Sequence, residues 1–384
     1  MKRGVWLASA VALFTSAAPG PAHAGRDDIP GRVVFARGGS LWLTDARGKS
    51  KAVEVATLPA GEVRLIRTDA GGGTLVVEIG GRWYSAALPT PGAPPATLAE
   101  LPCGAGPARL SQTARFVLCA SPDGQARLVR LGDGKTFDRA APAAATSLVE
   151  RDGVRRLVWT ETTETNVVKA APLAKLADEV VLAPEAPVRG FLAAPDGSRG
   201  VGVYRARPLK PAGAPERDEL FGFALDGTTG RRRLIRDGVV IDWSWDSRWL
   251  LVQDGDKACI ARATGGQFKC WKGYTAVSIA PDGAWALVLG TRSDATTGGG
   301  DAEEGKGKGK GKGEEAEGDA EGEGQAEGEA EGGEEELDGA IALPKGPMSL
   351  FRAKLNGPYT EKPALIETVV DGAAAWLPAT STSP

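Results

Sequence analysis

Short apolar runs rich in Val, Leu, Ile, Trp and Phe alternate with Gly, Pro and Asp turns along nearly the whole chain, while helical periodicity is almost absent. Such runs between turn residues predict an all-β protein. Three of them align. Val188 to Tyr204 reads VRGFLAAPDGSRGVGVY, Val239 to Val252 reads VVIDWSWDSRWLLV, and Ala276 to Leu289 reads AVSIAPDGAWALVL. Each is an apolar strand, a turn and a second apolar strand. In Ala194-Pro195-Asp196-Gly197 and Ala280-Pro281-Asp282-Gly283, proline presets φ, aspartate can accept a backbone N–H further on, and glycine takes a positive φ without strain. A third strand follows, as in Ser40 to Asp45, and then an outer fourth.

Weaker copies begin near Val63, Pro107 and Thr146, so successive starts lie about 36 to 51 residues apart, the repeat length of four-stranded propeller blades. This predicts a single β-propeller of seven four-stranded blades. The first strand-like segment, Arg32 to Ala36, reads as a second strand, leaving the first blade without its innermost one. The segment from Asp371 to Trp376 resembles the one from Asp237 to Trp243 that opens an earlier blade, so Ala373 to Leu377 is expected to close the ring. Closure removes sheet edges that would otherwise invite aggregation. Trp243, Trp245, Trp249 and Trp285 fall at repeated blade positions, which points to packing between sheets rather than to a stacking site.

Pro195-Asp196-Gly197, Pro281-Asp282-Gly283 and the altered Trp245-Asp246-Ser247 resemble the TolB-type repeats, also called WD40-like Pro-Asp repeats. The resemblance covers Val188 to Leu289 by motif and the remainder by strand pattern. It implies a propeller and says almost nothing of function. The separate N-terminal α/β domain of TolB has no expected counterpart here, and no residue pattern marks the surface by which TolB meets its partners. The Gly-His dipeptide of true WD40 repeats is excluded, because the sole histidine is His23.

His23 belongs to a leader. Lys2 and Arg3, an apolar stretch from Val5 to Ala18 and the small-x-small triplet Ala22-His23-Ala24 have the form of a secretory signal cleaved near Ala24. Residues 25–384 are then the propeller domain, and the expected location is periplasmic or secreted. Four cysteines suit an oxidising compartment. They fall in two close pairs, Cys103 with Cys119 and Cys259 with Cys270, and the second pair is symmetric about Thr264-Gly265, as a tight hairpin would make it.

Without histidine, the mature chain cannot build a Ser-His-Asp or Cys-His nucleophilic site or an imidazole zinc site. No Walker loop precedes a helix, and most Asp residues of the body sit in turns beside Gly. The expectation is therefore a cell-envelope binding or scaffolding propeller that is not an enzyme and has no cofactor, metal or catalytic residue. Two other readings stay open: a carboxylate-dependent hydrolase or lyase on envelope glycans, working at the central channel, and a ligand-sensing propeller. No nucleic-acid partner or membrane span is expected, and the chain is expected to be a monomer.

Charge adds a candidate surface. The formal net charge is −3, but residues 294–338 hold 17 acidic residues against four lysines. Setting aside that −13 and the +2 of Lys2 and Arg3 leaves the rest of the chain at +8. The Gly/Glu/Lys-rich insert is expected to be disordered, since its composition cannot offset the entropy of ordering. It interrupts the last blade between second and third strands. The connection from Ala206 to Asp218 has the same place in its own blade, and Arg205, Arg207, Lys210 and Arg217 there form a candidate binding rim. The insert either screens this rim until an acidic ligand or envelope protein competes, acts as a solvated spacer, or weakly buffers calcium.

Overall fold

The computed structural model describes residue 29 and residues 31–378, apart from 91, 107, 152, 162–166, 184, 207–216, 227–231, 236–237, 266–267, 292–347 and 356–360. The expected leader and the acidic insert lie outside the described residues. Among the described residues, twenty-eight strands form seven four-stranded antiparallel sheets, the blades of a propeller.

The first blade contains β1 (Arg32–Arg37), β2 (Ser40–Asp45) and β3 (Val53–Thr57). The second is β4 (Val63–Thr68), β5 (Thr74–Ile79), β6 (Arg82–Ala87) and β7 (Ala99–Glu100). The third is β8 (Arg109–Leu110), β9 (Phe116–Ala120), β10 (Gln125–Arg130) and β11 (Thr136–Pro142). The fourth is β12 (Thr146–Arg151), β13 (Val154–Glu161), β14 (Val167–Pro172) and β15 (Val180–Ala183). The fifth is β16 (Arg189–Ala193), β17 (Arg199–Ala206), β18 (Arg217–Ala224) and β19 (Arg232–Ile235). The sixth is β20 (Gly238–Trp243), β21 (Trp249–Asp254), β22 (Lys257–Arg262) and β23 (Phe268–Lys272). The seventh is β24 (Thr275–Ile279), β25 (Trp285–Gly290), β26 (Met348–Lys354) and β27 (Ala364–Val370).

The last strand, β28 (Ala374–Leu377), supplies the missing inner strand of the first blade. It runs antiparallel to β1, with Arg32 opposite Leu377 and Phe35 opposite Ala374. Two further backbone bonds, Ala36 N–H to Ala373 O at 3.0 Å and Asp371 N–H to Ala36 O at 2.9 Å, extend the pairing. The Asp371 carboxylate accepts the Gly38 N–H at 2.6 Å, which ties the entry to β28 onto the β1–β2 turn. Gly31, with φ +99°, lies against the carbonyl of Leu377, so closely that a Cβ would come within 2.4 Å of its oxygen.

The expected turn chemistry is present. Gly197 and Gly283 both have φ +69°, and their N–H groups return to Ala194 O and Ala280 O at 2.9 Å. Asp196 and Asp282 accept the N–H of Ser198 and Ala284 at 2.9 Å each. In the altered copy Ser247 takes the glycine position at φ +60°, and Asp246 accepts the Arg248 N–H at 3.1 Å.

Alternate residues of a strand face opposite neighbours, and each of the seven contacts between adjacent blades holds its own apolar cluster. Val33 and Phe35 pack towards the seventh blade, whereas Val34 and Ala36 pack towards the second. Trp243 is buried between the fifth and sixth blades, and the half-buried Trp249 and Trp285 pack against the clusters that follow. A Cβ on Gly283 would come within 2.2 Å of the Trp249 ring, so the turn glycine of one blade makes room for an indole of the blade before it. Trp245 sits half-buried in its turn and joins none of these clusters.

One disulfide ties the connection between the second and third blades to β9, and the other lies within the sixth blade. Cys103 is bonded to Cys119, with Cα atoms 5.8 Å apart, and Cys259 to Cys270. The latter two are directly opposite on β22 and β23 across the Gly265 hairpin.

Replacing Ala374 by Asp would bury a carboxylate at a position with no exposure, between the first and seventh blades. An Ala374→Asp variant should lose about 3 to 5 kcal/mol of unfolding free energy in urea, while Val369→Asp, at a site 49% exposed on β27, should change it by about 0.5 kcal/mol or less.

Candidate functional site

The first strands of successive blades approach one another around the ring and wall its central channel. Each is the inner edge of its sheet, so one row of backbone N–H and C=O groups has no ladder partner and needs another. Buried hydroxyls and one amide answer that need across blade boundaries. Thr68 Oγ1 donates to Trp376 O at 3.0 Å, and Ser278 Oγ accepts the Trp376 N–H at 3.3 Å. Ser147 Oγ accepts the Ala193 N–H at 2.9 Å, and Gln253 Oε1 accepts the Ala276 N–H at 2.7 Å.

Three charged residues of this wall share one level. Arg67, Arg109, Leu192, Asp242 and Ser278 each lie two residues before the turn residue whose N–H returns to the second strand, namely Asp69, Ser111, Ala194, Ser244 and Ala280. The shared register sets all five near the turn-side mouth of the channel. Arg67 of the second blade reaches across to the sixth. Its guanidinium is 3.0 Å from Asp242 Oδ2 and donates to Ile241 O at 2.8 Å. Asp242 Oδ1 accepts the Trp243 N–H at 2.9 Å, so both carboxylate oxygens are engaged.

Arg109 of the third blade stands beside this pair. It is half-buried, and among the described residues its guanidinium makes no hydrogen bond or ion pair. Burial pushes it down to about 10, repulsion from Arg67 adds to the shift, and the Asp242 charge opposes it. Burial likewise pushes the Asp242 carboxyl up, against the pull of Arg67, the Trp243 N–H and Arg109. Protein surrounds these groups, yet solvent still touches them, with the Arg67 and Asp242 side chains 18% and 29% exposed. The site is therefore a narrow, wet constriction with two cations and one anion.

Sequence reasoning missed these three residues. A signal existed: in the aligned repeats Asp242 falls in the column of Leu192 and Ser278, a charge where the strand is otherwise apolar.

The candidate rim is only partly visible. Arg205 is exposed at the end of β17, in register with Asp218, and Arg217 begins β18 opposite Ala206. Arg207 and Lys210 lie outside the described residues, as does the Arg217 side chain. Residues 207–216 join second and third strands of the fifth blade, and residues 291–347 do the same in the seventh, where Gly290 pairs with Ser349. Both connections leave from one rim, opposite the Arg109 level. A separate groove of about 350 Å³ opens between the fourth and fifth blades, with Val149, Val158, Leu182 and Leu225 on its walls and Arg156 and Asp196 in its lining. No helix among the described residues is long and apolar enough to cross a membrane.

The Pro-Asp-Gly turns join the first and second strands of their blades, as the TolB-type resemblance implied. The chain is similar to a crystal structure of TolB from Acinetobacter baumannii, with a TM-score of 0.42 and 11% identity over 61% of this chain and 62% of that one. It thus spans less than two thirds of the TolB chain. It is also similar to a nidogen/laminin complex structure, with a TM-score of 0.40 and 12% identity over 61% of this chain and 89% of that one. No family model matches the sequence, and no curated protein does.

The folded protein holds Arg109 below its unfolded pKa, so its charge opposes folding at neutral pH, and this cost fades only as pH rises through about 10. An Arg109→Gln variant should accordingly be more stable than wild type by about 1 kcal/mol in urea unfolding at pH 7. Asp242→Asn leaves two cations uncompensated and should cost about 3 kcal/mol in the same measurement.

Proposed function

We propose that this chain is an exported, non-catalytic binding propeller of the cell envelope, and that its partner is an acidic ligand or an envelope protein presenting acidic groups. The observation that carries the reading is the make-up of the channel constriction. A glycan hydrolase needs two carboxyl groups about 5 to 9.5 Å apart, one to protonate the leaving group and one to attack or activate water. Among the described residues the inner strands bring two carboxylates to the turn side, and neither is free: Asp242 is held by Arg67 and the Trp243 N–H, and Glu150 by Arg155 and Thr113. The surplus there is cationic, which suits recognition of negative charge.

Two further features support the reading. The disulfides Cys103–Cys119 and Cys259–Cys270 suit an oxidising compartment, in keeping with the leader pattern that ends at Ala24. The basic body and the acidic segment 294–338 belong to one chain, so a tethered polyanion is held at high effective concentration beside its own propeller. An acidic partner would compete with that segment, and the competition would weaken with salt.

In-cell cross-linking followed by affinity capture tests this with the intact protein and a version carrying a short Gly-Ser linker in place of residues 294–338. A defined acidic envelope partner should be captured, and its yield should change with the linker. Recovery of both versions alone would overturn the reading.

A further inference from the structure

We infer that the turn-side mouth of the central channel is an oxyanion site, in which the Arg109 guanidinium, seconded by Arg67, takes the carboxylate or phosphate group of a small molecule. The inference deepens the binding-module reading and rests on it for its biological meaning.

The geometry of the three charges carries it. Arg67 is committed to the sixth blade through Asp242 Oδ2 and Ile241 O, which spans the ring and fixes that guanidinium. Asp242 has spent its other oxygen on the Trp243 N–H. Asp242 attracts Arg109 by charge but accepts no hydrogen bond from it, and Arg109 enters the same level from the third blade. A guanidinium carries five N–H donors in a planar fork that matches carboxylate and phosphate oxygens two at a time. Half-buried, those of Arg109 have no acceptor among the described residues.

Arg109 is not needed to hold the channel wall together. The inner-edge backbone bonds across blade boundaries are made by other side chains: Trp376 O is served by Thr68, Trp376 N–H by Ser278 and Ala193 N–H by Ser147. Arg67 repels it, and burial lowers its pKa, so the fold carries its charge at a cost that a bound oxyanion would relieve. Solvent contact at Arg67 and Asp242 gives a small anion a wet route to the constriction. The ring and its register pre-position both cations, so binding requires no rearrangement of the backbone.

Isothermal titration calorimetry on the mature full chain tests the site, with inorganic phosphate in one arm and acetate in the other, at constant ionic strength set by sodium chloride. Saturable binding of at least one oxyanion is expected at roughly millimolar concentrations or below, and comparison of the arms shows whether the site prefers phosphate or carboxylate. Arg109→Gln, which should fold at least as well as wild type, is expected to weaken binding by about tenfold or more. Lys175→Gln, remote and exposed, should leave it unchanged. Asp242→Asn, checked for a cooperative thermal transition, should bind more tightly, because the cationic surplus rises from one charge to two. Absence of saturation in both arms, wild-type affinity in Arg109→Gln, or weaker binding in folded Asp242→Asn would each overturn the inference. Phosphate can bind Arg109 whether or not cross-linking captures a partner, so the two readings fail separately.

Discussion

Every blade of this ring buries both of its faces, and it can do so only because the ring is complete. A sheet with apolar residues on both sides has no stable existence alone: Val33 and Phe35 need the seventh blade as much as Val34 and Ala36 need the second. Were one boundary lost, two apolar sheet faces would meet water. Closure by β28 is therefore a requirement of the whole fold rather than a finish to one blade. Its register, Arg32 with Leu377 through Phe35 with Ala374, delivers Ala374 and Trp376 to one cluster and Ala375 and Leu377 to the next.

The same architecture creates a second demand at the centre. Seven inner edges converge there, each with a row of backbone groups that its own sheet does not pair. Thr68, Ser147, Gln253 and Ser278 meet this demand from neighbouring blades, which makes them ties between sheets as well as caps on an edge. Against that background the charged residues divide by role. Arg67 and Asp242 are satisfied by each other and by backbone, joining opposite sides of the ring. Arg109 alone among the three brings a charge that the described residues do not match, and a wall built to satisfy its polar groups has no structural use for such a residue.

The fold was legible because its signals are local and repeated. Pro195-Asp196-Gly197 and Pro281-Asp282-Gly283 announce a turn whose geometry follows from three residue types, and the spacing of Cys259 and Cys270 about Thr264-Gly265 is a hairpin written in sequence. The closing strand was legible because Asp371 to Trp376 copies the start of an earlier blade. The channel site was not, because its meaning is a contact between residues 175 positions apart, Arg67 and Asp242, on opposite sides of a ring. No window of sequence holds both. The tryptophans show an intermediate case: repeated position pointed correctly to packing for Trp243, Trp249 and Trp285, but the half-buried Trp245 occupies the proline place of its turn and joins no apolar cluster between blades. The basic rim rested on Arg205, Arg207, Lys210 and Arg217, and the connection that carries two of them is not described.

The pairing of β28 with β1 has a mechanical meaning. Arg32 begins one strand and Leu377 ends the other, so the two chain ends leave the ring side by side. Tension between those ends would peel the pair open one hydrogen bond at a time, whereas the same strands sheared along their length would resist together. A ring pulled apart at those two residues would thus part at the seam first, leaving the other six blades to follow.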